Sequence, residues 1–273
     1  MEFFGAYSGS DFLVFYGGLL VAAVAAGLWI PAFLRAEGRL ATLADADEAA
    51  VLAGGPGRMT IAVLTGLYAD GALQSFGKDK MLVGRGHEAP TPAGRAILRT
   101  SGSFSLPQAH RALKDHASRV EQRLIDKGLL IDKPARWQMR LLAILPYLAV
   151  LALGWYRQRA GDALGEPTAF LVALMVLTAV LAIWRLSSIN PRTRGGENLL
   201  SSERDRSARL RSAPTAPEAG FAVALFGTGV LVGTPFEPVH AMRQQAGSDS
   251  GSGGGDSSGD SGCGGGGCGG CGG

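Results

Sequence analysis

Residues 12–34 have the sequence FLVFYGGLLVAAVAAGLWIPAFL, and this apolar run decides the fold. It contains no charged residue. About 23 residues at a rise of 1.5 Å each form a helix of about 35 Å, which exceeds the ~30 Å hydrocarbon core of a bilayer. We therefore expect a transmembrane helix over residues 12–34.

The charges on either side of this run indicate its orientation. The preceding residues include Glu2 and Asp11 but no Lys or Arg, whereas a cleaved signal peptide, the less favoured alternative, begins with a positively charged region. Arg35 and Arg39 follow the run, and positive charge is retained on the cytoplasmic side. We expect residues 1–11 to lie outside the membrane and the chain from residue 35 onward to lie in the cytoplasm.

The overall composition indicates membrane segments joined to a soluble part. The 273 residues are 47% hydrophobic and 18% charged, with a mean hydropathy of +0.16, which is apolar for a soluble domain. Most Lys and Arg residues lie in two blocks, Arg35 to Arg140 and Arg185 to Arg211. Such blocks mark nucleic-acid contacts or cytoplasmic flanks of membrane helices. The adjoining apolar runs favour the second interpretation.

Two further apolar runs form a predicted hairpin of membrane helices at residues 140–157 and 168–186. Trp137 and Tyr156 are placed like interfacial aromatic residues, and Arg140 can extend its charge into the headgroup layer. A short polar connection separates the runs. The pair is expected to cross out of and back into the cytoplasm.

A fourth span at residues 219–236 is the alternative that the sequence leaves open. The segment is uncharged but contains four glycines, which weaken a helix. A fourth span would place the C-terminus outside, whereas a buried helix would keep residues 187–246 as a cytosolic segment. We favour three spans.

Residues 35–139 have the pattern of a small cytosolic α+β domain. Asp45 and Glu48 have capping-box spacing, and we expect Asp45 to cap a helix that ends at Gly54-Gly55-Pro56. A second helix is expected over residues 58–69. Another capping box, Ser105 with Gln108, predicts a helix that stops at Gly128.

Residues 73–83 predict a β-hairpin in this domain, because two short apolar stretches flank a polar turn that contains glycine. The domain also contains an internal sequence repeat. Val63, Leu67, Gly71 and Leu73 recur at a constant offset as a second set of four. The members of that second set are Val120, Leu124, Gly128 and Leu130. A helix, a glycine stop and a strand are typical of winged-helix domains, and also of many other α+β folds.

All three cysteines, Cys263, Cys268 and Cys271, lie in residues 247–273, a tail made largely of Gly, Ser and Asp. Its composition predicts disorder. Thiolates at this spacing could bind a soft metal such as Zn or Cu(I), although three cysteines without a histidine are an incomplete zinc set. The alternatives are covalent use of the thiols and a tail without defined chemistry.

The sequence contains no pattern that predicts a catalytic site. His110 and His116 lack the spacing of a metal-binding pair, and Gly54-Gly55-Pro56-Gly57-Arg58 lacks the ending of a phosphate-binding loop. Basic residues of the helix after Ser105 are interleaved with acidic ones. We therefore do not expect an enzyme, a bound cofactor or a nucleic-acid partner.

The layout resembles an uncharacterised bacterial family of multi-pass membrane proteins. The resemblance rests on an N-terminal span, Leu52-Ala53-Gly54-Gly55-Pro56, Val63-Leu64 with Gly71-Ala72-Leu73, a close pair of membrane helices, Val223-Ala224-Leu225-Phe226-Gly227 and the Gly/Cys-rich end. It implies a bacterial source and a location in the cell membrane, and it supplies no catalytic residues.

Two functional hypotheses follow from the sequence. The first is a non-enzymatic binding or scaffold protein, with the lipid bilayer and a protein partner of the cytosolic domain as its contacts and a flexible thiol-bearing tail. The second is a metal-binding or redox-handling membrane protein that uses the tail cysteines.

Overall fold

The computed structural model describes residues 9–34, 37–38, 41–77, 79–84, 86–100, 102–164, 169–187, 190–212 and 214–249. Most of the expected outer segment 1–11 and of the expected tail 247–273 lies outside these residues. The fold is mostly helical, at 75%, with a small three-stranded sheet. This confirms the mainly α architecture that the sequence predicts.

The chain divides into two units, each described here by itself. The bundle unit comprises the described parts of Met1–Gly38 and Ile131–Arg194, and the core unit those of Arg39–Leu130 and Gly195–Gly273. The helices and strands in chain order are α1 (Gly9–Leu34), α2 (Ala46–Ala69), β1 (Leu73–Phe76), β2 (Lys80–Val83), α3 (Pro92–Leu98), β3 (Ser103–Ser105), α4 (Leu106–Asp126), α5 (Lys133–Leu164), α6 (Ala169–Ser187), α7 (Arg194–Arg206), α8 (Ala219–Phe226) and α9 (Glu237–Asp249).

The bundle unit consists of α1, α5 and α6 packed side by side. Tyr16 and Gly27 of α1 contact Gly154 and Tyr147 of α5, so the residue order reverses and these two helices are antiparallel. Tyr16 and Gly27 bond to Thr178 and Arg185 of α6 in the same order, so α1 and α6 are parallel. Consequently α1 and α6 end, and α5 begins, at one end of the bundle, which we call the exit end. This is the up-down-up arrangement expected of the predicted spans.

Three helical stretches are long and apolar enough to cross a membrane, namely Phe12–Ile30, Ala46–Ala69 and Lys133–Arg159. Phe170–Leu186 is a shorter apolar helix, and about 17 residues is the lower limit for a span. The fraction of residues buried by the rest of the fold distinguishes these candidates. In an 18-residue apolar window of Ala46–Ala69, 61% of the residues are buried, compared with 22% and 28% in the corresponding windows of the other two stretches. We therefore assign α2 to the interior of the core unit, as the sequence predicts.

The segment considered for a fourth span forms a short buried helix instead. Of its residues, 219–226 make α8, whose Ala222, Val223, Ala224 and Leu225 have no exposed surface. Eight residues form a helix of about 12 Å, less than half of the ~30 Å hydrocarbon core. Gly227, with φ of 84°, then ends the helix. The helix α8 packs against α2 within the core unit.

A kink divides α2 where the sequence predicts a helix end. Gly54 and Gly55 leave helical geometry, and Gly55 has φ of 73°, which favours glycine. Pro56 then begins the second half, where its missing N–H costs no hydrogen bond. At the N-terminus, Asp45 makes no capping hydrogen bond. The carboxylate of Glu48 instead accepts from the Ala44 N–H at 2.9 Å, so the predicted capping role of Asp45 is wrong.

The predicted hairpin is confirmed, since β1 and β2 pair antiparallel with Leu73 opposite Val83. The sheet order is β1-β2-β3. The sequence did not predict β3, which has three residues and follows a glycine-containing loop. Its central residue, Phe104, pairs with Met81, and both side chains are buried. Two core side chains on one face explain why so short a strand forms.

The internal sequence repeat corresponds to a helix cap that occurs twice. The Ala72 N–H donates to Leu67 O, and the Leu129 N–H donates to Leu124 O, both at 2.9 Å. Gly71 and Gly128 have φ of 76° and 71°. This is the Schellman geometry. The first copy leads into β1, whereas Leu130 after the second copy is not part of the sheet.

We expect two glycine substitutions in the core unit to change its stability in opposite directions, because one glycine is closely packed and the other only lowers helix propensity. A Cβ at Gly196 would stand 2.3 Å from Leu129 O, whereas nothing within 4 Å would meet one at Gly66 of α2. Gly196→Ala should destabilise the fold by about 1–3 kcal/mol, and Gly66→Ala should stabilise it by about 0.5–1 kcal/mol. Thermal unfolding of the full-length protein in a nonionic detergent measures both. Equal melting temperatures for the two variants would contradict the packing of α7 on Leu129.

Candidate functional site

The sequence-predicted metal ligands Cys263, Cys268 and Cys271 lie outside the described residues, so this site stays a prediction. Within the described ranges, no group of three or more His, Cys, Asp or Glu side chains could hold a metal ion. The described chain instead offers polar clusters that are built from several elements.

The first cluster joins the N-terminus of α2 to α4. Glu48 is only 1% exposed, and its carboxylate accepts from Lys127 Nζ at 2.6 Å while Arg123 Nε lies 4.0 Å away. Burial alone would raise the pKa of Glu48. The hydrogen bonds from Ala44 N–H and Lys127, with the charges of Lys127 and Arg123, outweigh it and hold the pKa below its ordinary value.

His116 extends this cluster, because its Nε2 donates to Asp47 Oδ2 at 2.9 Å. The ring therefore serves an interhelical contact. His110 lies elsewhere, beside Gly57 at the kink of α2, so the structure does not bring the two histidines together. Arg123 and Lys127 are basic residues of α4, the helix after Ser105, and they face the acidic end of α2. They tie two helices of the core unit together.

The second cluster links α9 to the 3-10 turn Thr228–Leu231. The Thr228 hydroxyl is buried and lies 3.0 Å from His240 Nδ1 and 3.1 Å from Arg243 Nη1. Gln244 Nε2 in turn contacts His240 Nε2 at 3.0 Å. A Thr–His pair can act as nucleophile and base, but the Thr228 hydroxyl is also held by Arg243, and the three side chains join α9 to the turn. Sequence reasoning missed this cluster, because no motif relates Thr228 to His240.

The third cluster lies inside the apolar bundle unit. The Thr178 hydroxyl donates to Leu174 O at 2.7 Å, and the Tyr16 hydroxyl donates to Thr178 Oγ1 at 3.3 Å. Toward the exit end, Arg185 Nε donates to Gly27 O at 2.8 Å. The ring of Tyr147 lies so close to Gly27 that a Cβ there would stand 2.8 Å from its Cε2. Two polar contacts thus join α1 to α6, and the Tyr147 ring packs α5 closely against Gly27 of α1.

Comparison with known proteins adds no relative to these observations. No family model, curated protein or solved structure showed significant similarity to the chain. The resemblance to a bacterial membrane-protein family therefore stays a prediction from the short motifs that suggested it. The functional argument depends on the burial, charge and geometry of this chain alone.

We expect Glu48 to give the core unit a pH-dependent stability. Because its pKa is lower in the folded state than the ordinary 4.5, its stabilisation is present above that value and is lost as pH falls through the lowered pKa. Glu48→Gln should cost about 1–3 kcal/mol at pH 7. The difference from the wild type should shrink at pH 3. Thermal unfolding in detergent at both pH values measures it.

Asp45→Asn is the matched control for this prediction. The Asp45 side chain is 61% exposed and lies 3.9 Å from Arg123, and an exposed ion pair contributes about 0–1 kcal/mol. If both substitutions lower the melting temperature equally, the buried carboxylate is not the group that joins α2 to α4.

Proposed function

We propose that the chain is a bacterial multi-pass membrane protein without enzymatic activity, in which three spanning helices anchor a cytosolic binding or scaffold domain. The observation that carries this proposal is the distribution of exposed apolar side chains. Among the described residues, every exposed large hydrophobic residue except Phe76 and Val232 belongs to the bundle unit. A soluble protein rarely exposes so many contiguous apolar residues, whereas a bilayer covers them.

The aromatic residues of the bundle unit support anchoring across a bilayer. Trp29, Trp137 and Trp184 lie toward the exit end, and Trp155 and Tyr156 lie toward the opposite end. All five are exposed. Tryptophan and tyrosine favour both interfaces of a membrane, where an apolar ring and a polar group are each accommodated. Their positions favour α1, α5 and α6 as the spans.

The core unit supports a binding role. Its polar clusters at Glu48 and Thr228 consist of residues that join helices, and its apolar side chains form one continuous core. A rigid domain of this kind presents a fixed surface to a protein partner. Its proposed winged-helix-like character rests on the passage from α2 through the Gly71 cap into the β1–β2 hairpin.

The proposed topology places the C-terminus in the cytoplasm, because three spans follow an outer N-terminus. The native cysteines Cys263, Cys268 and Cys271 test this directly. A membrane-impermeant maleimide should label them only after cells are permeabilised. In a variant with these three cysteines changed to serine, Glu166→Cys in the α5–α6 connection should be labelled in intact cells. Labelling of the native cysteines in intact cells would exclude the three-span topology.

We further expect residues 247–273 to be dispensable for anchoring and for partner binding by the core unit. A chain truncated after Ala246 should resist extraction from membranes by alkaline carbonate. It should also give the same cross-linked partner bands as the full-length protein. If both insertion and cross-linking fail after the truncation, the proposed division between anchor, binding domain and tail is incorrect.

A further inference from the structure

Buried polar side chains converge on Gly27 near the exit end of the bundle unit. Arg185 of α6 is 8% exposed and Tyr147 of α5 is 2% exposed. Arg185 Nε donates to Gly27 O at 2.8 Å. The Tyr147 hydroxyl oxygen lies 2.9 Å from the position that a Cβ of Gly27 would occupy. A cation and a phenol therefore meet at one point on the α1 backbone.

These two side chains have more hydrogen-bond donors than the described residues accept. A guanidinium has five N–H donors, and within the described part of the chain Arg185 bonds only to Gly27 O. In the same residues, the Tyr147 hydroxyl has no hydrogen-bond partner. Buried donors are costly unless they are satisfied. The spare donors therefore favour a bound acceptor that is not among the described residues.

Arg140 adds a second cation on the same face of α5. It precedes Tyr147 by two helical turns, and Ala143, Tyr147 and Val150 on that face are buried. Its Nε is buried and has no hydrogen-bond partner in the described ranges of the chain. We call Arg185, Tyr147 and Arg140 the Arg185 cluster.

No acidic side chain among the described residues neutralises the Arg185 cluster. Glu37 and Asp132 lie near the exit end of the bundle unit, but neither forms an ion pair with Arg140 or Arg185. The Asp132 carboxylate accepts from the Lys133 N–H at 2.7 Å. The cluster thus retains its positive charge, and the ligand that matches it is an anion.

We propose that the Arg185 cluster binds the phosphate of an anionic phospholipid headgroup. This inference rests on the proposed membrane anchoring, and it names a specific ligand for the bundle unit. The planar guanidinium of Arg185 matches phosphate oxygens, and the Tyr147 hydroxyl supplies one further donor. Basic sites between spanning helices are a known mode of binding anionic headgroups.

The neighbouring residues favour a lipid over a soluble anion. Trp29 and Trp184 lie close to Gly27 and Arg185 in their helices and are 80% and 58% exposed, which is typical of the headgroup level. Leu28 and Leu141, both exposed, provide apolar surface beside the cluster. A phospholipid satisfies both features, because its phosphate contacts the arginines while its acyl chains cover the leucines.

Tryptophan quenching by brominated lipid tests the proposal on the full-length protein. Of the four tryptophans, Trp155 is the one toward the opposite end, so a Trp155→Phe background reports on the exit end alone. The protein in mixed micelles is titrated with brominated phosphatidylglycerol or brominated phosphatidylcholine. We expect phosphatidylglycerol to quench at a lower mole fraction.

Arg185→Gln should weaken phosphatidylglycerol binding about tenfold, the effect of losing a charge-assisted hydrogen bond. Because Arg185 also bonds to Gly27 O, Arg140→Gln and Tyr147→Phe provide variants that keep that contact. Each should weaken binding by a smaller factor. Arg159→Gln removes a charge at the opposite end of α5 and should leave binding unchanged.

Three results would overturn the proposal. The first is equal quenching by the two lipids, and the second is wild-type affinity in all three cluster variants. The third is displacement of phosphatidylglycerol by millimolar inorganic phosphate, which would identify the ligand as a soluble anion. Reconstitution into phosphatidylcholine vesicles tests membrane insertion and lipid preference separately. Failure to insert there overturns both, whereas insertion without lipid preference overturns the headgroup site alone.

Discussion

The contact between α2 and α8 is the interaction on which the core unit depends. The two helices are separated by about 150 residues of sequence that include α5 and α6, and they pack so closely that a Cβ at Gly220 would stand 3.0 Å from Ala62 O. The two parts of this core can combine only if the chain returns to the same side after α5 and α6. The two crossings proposed for α5 and α6 agree with this return, because an even number of crossings leaves both parts of the core on one side of the membrane.

The same contact explains how apolar segments of similar composition reach different environments. The window in α2 has a mean hydropathy of 1.2 and that in α1 has 2.2, so both pass a test based on length and composition. The α2 helix has apolar partners in α4 and α8 on several sides, whereas α1 has neighbours along one stripe. Apolar area that the protein covers itself needs no lipid, and area that stays exposed does.

Polar contacts give the bundle unit a defined arrangement that apolar packing alone would not supply. In lipid, helices gain little from apolar association, and small residues with interhelical hydrogen bonds set their register. Gly27 and Gly154 provide the close approach, and the Tyr16–Thr178 and Arg185–Gly27 bonds provide the register. The Arg185 contact shows that a charged residue inside the predicted span 168–186 also holds the bundle together. Its remaining donors then become available to a ligand.

The sequence by itself determined the features whose hydrogen bonds close within a few residues. These include the Ser105 and Gln108 capping box, the glycine caps at Gly71 and Gly128, and the β1–β2 hairpin. Tertiary structure decided that α8 is buried, that β3 forms against Met81 and that Glu48 pairs with Lys127. Local elements are predictable because their partners are fixed by chain geometry. Distant partners are selected by the total burial and charge pairing of the whole fold, which no short stretch of sequence contains.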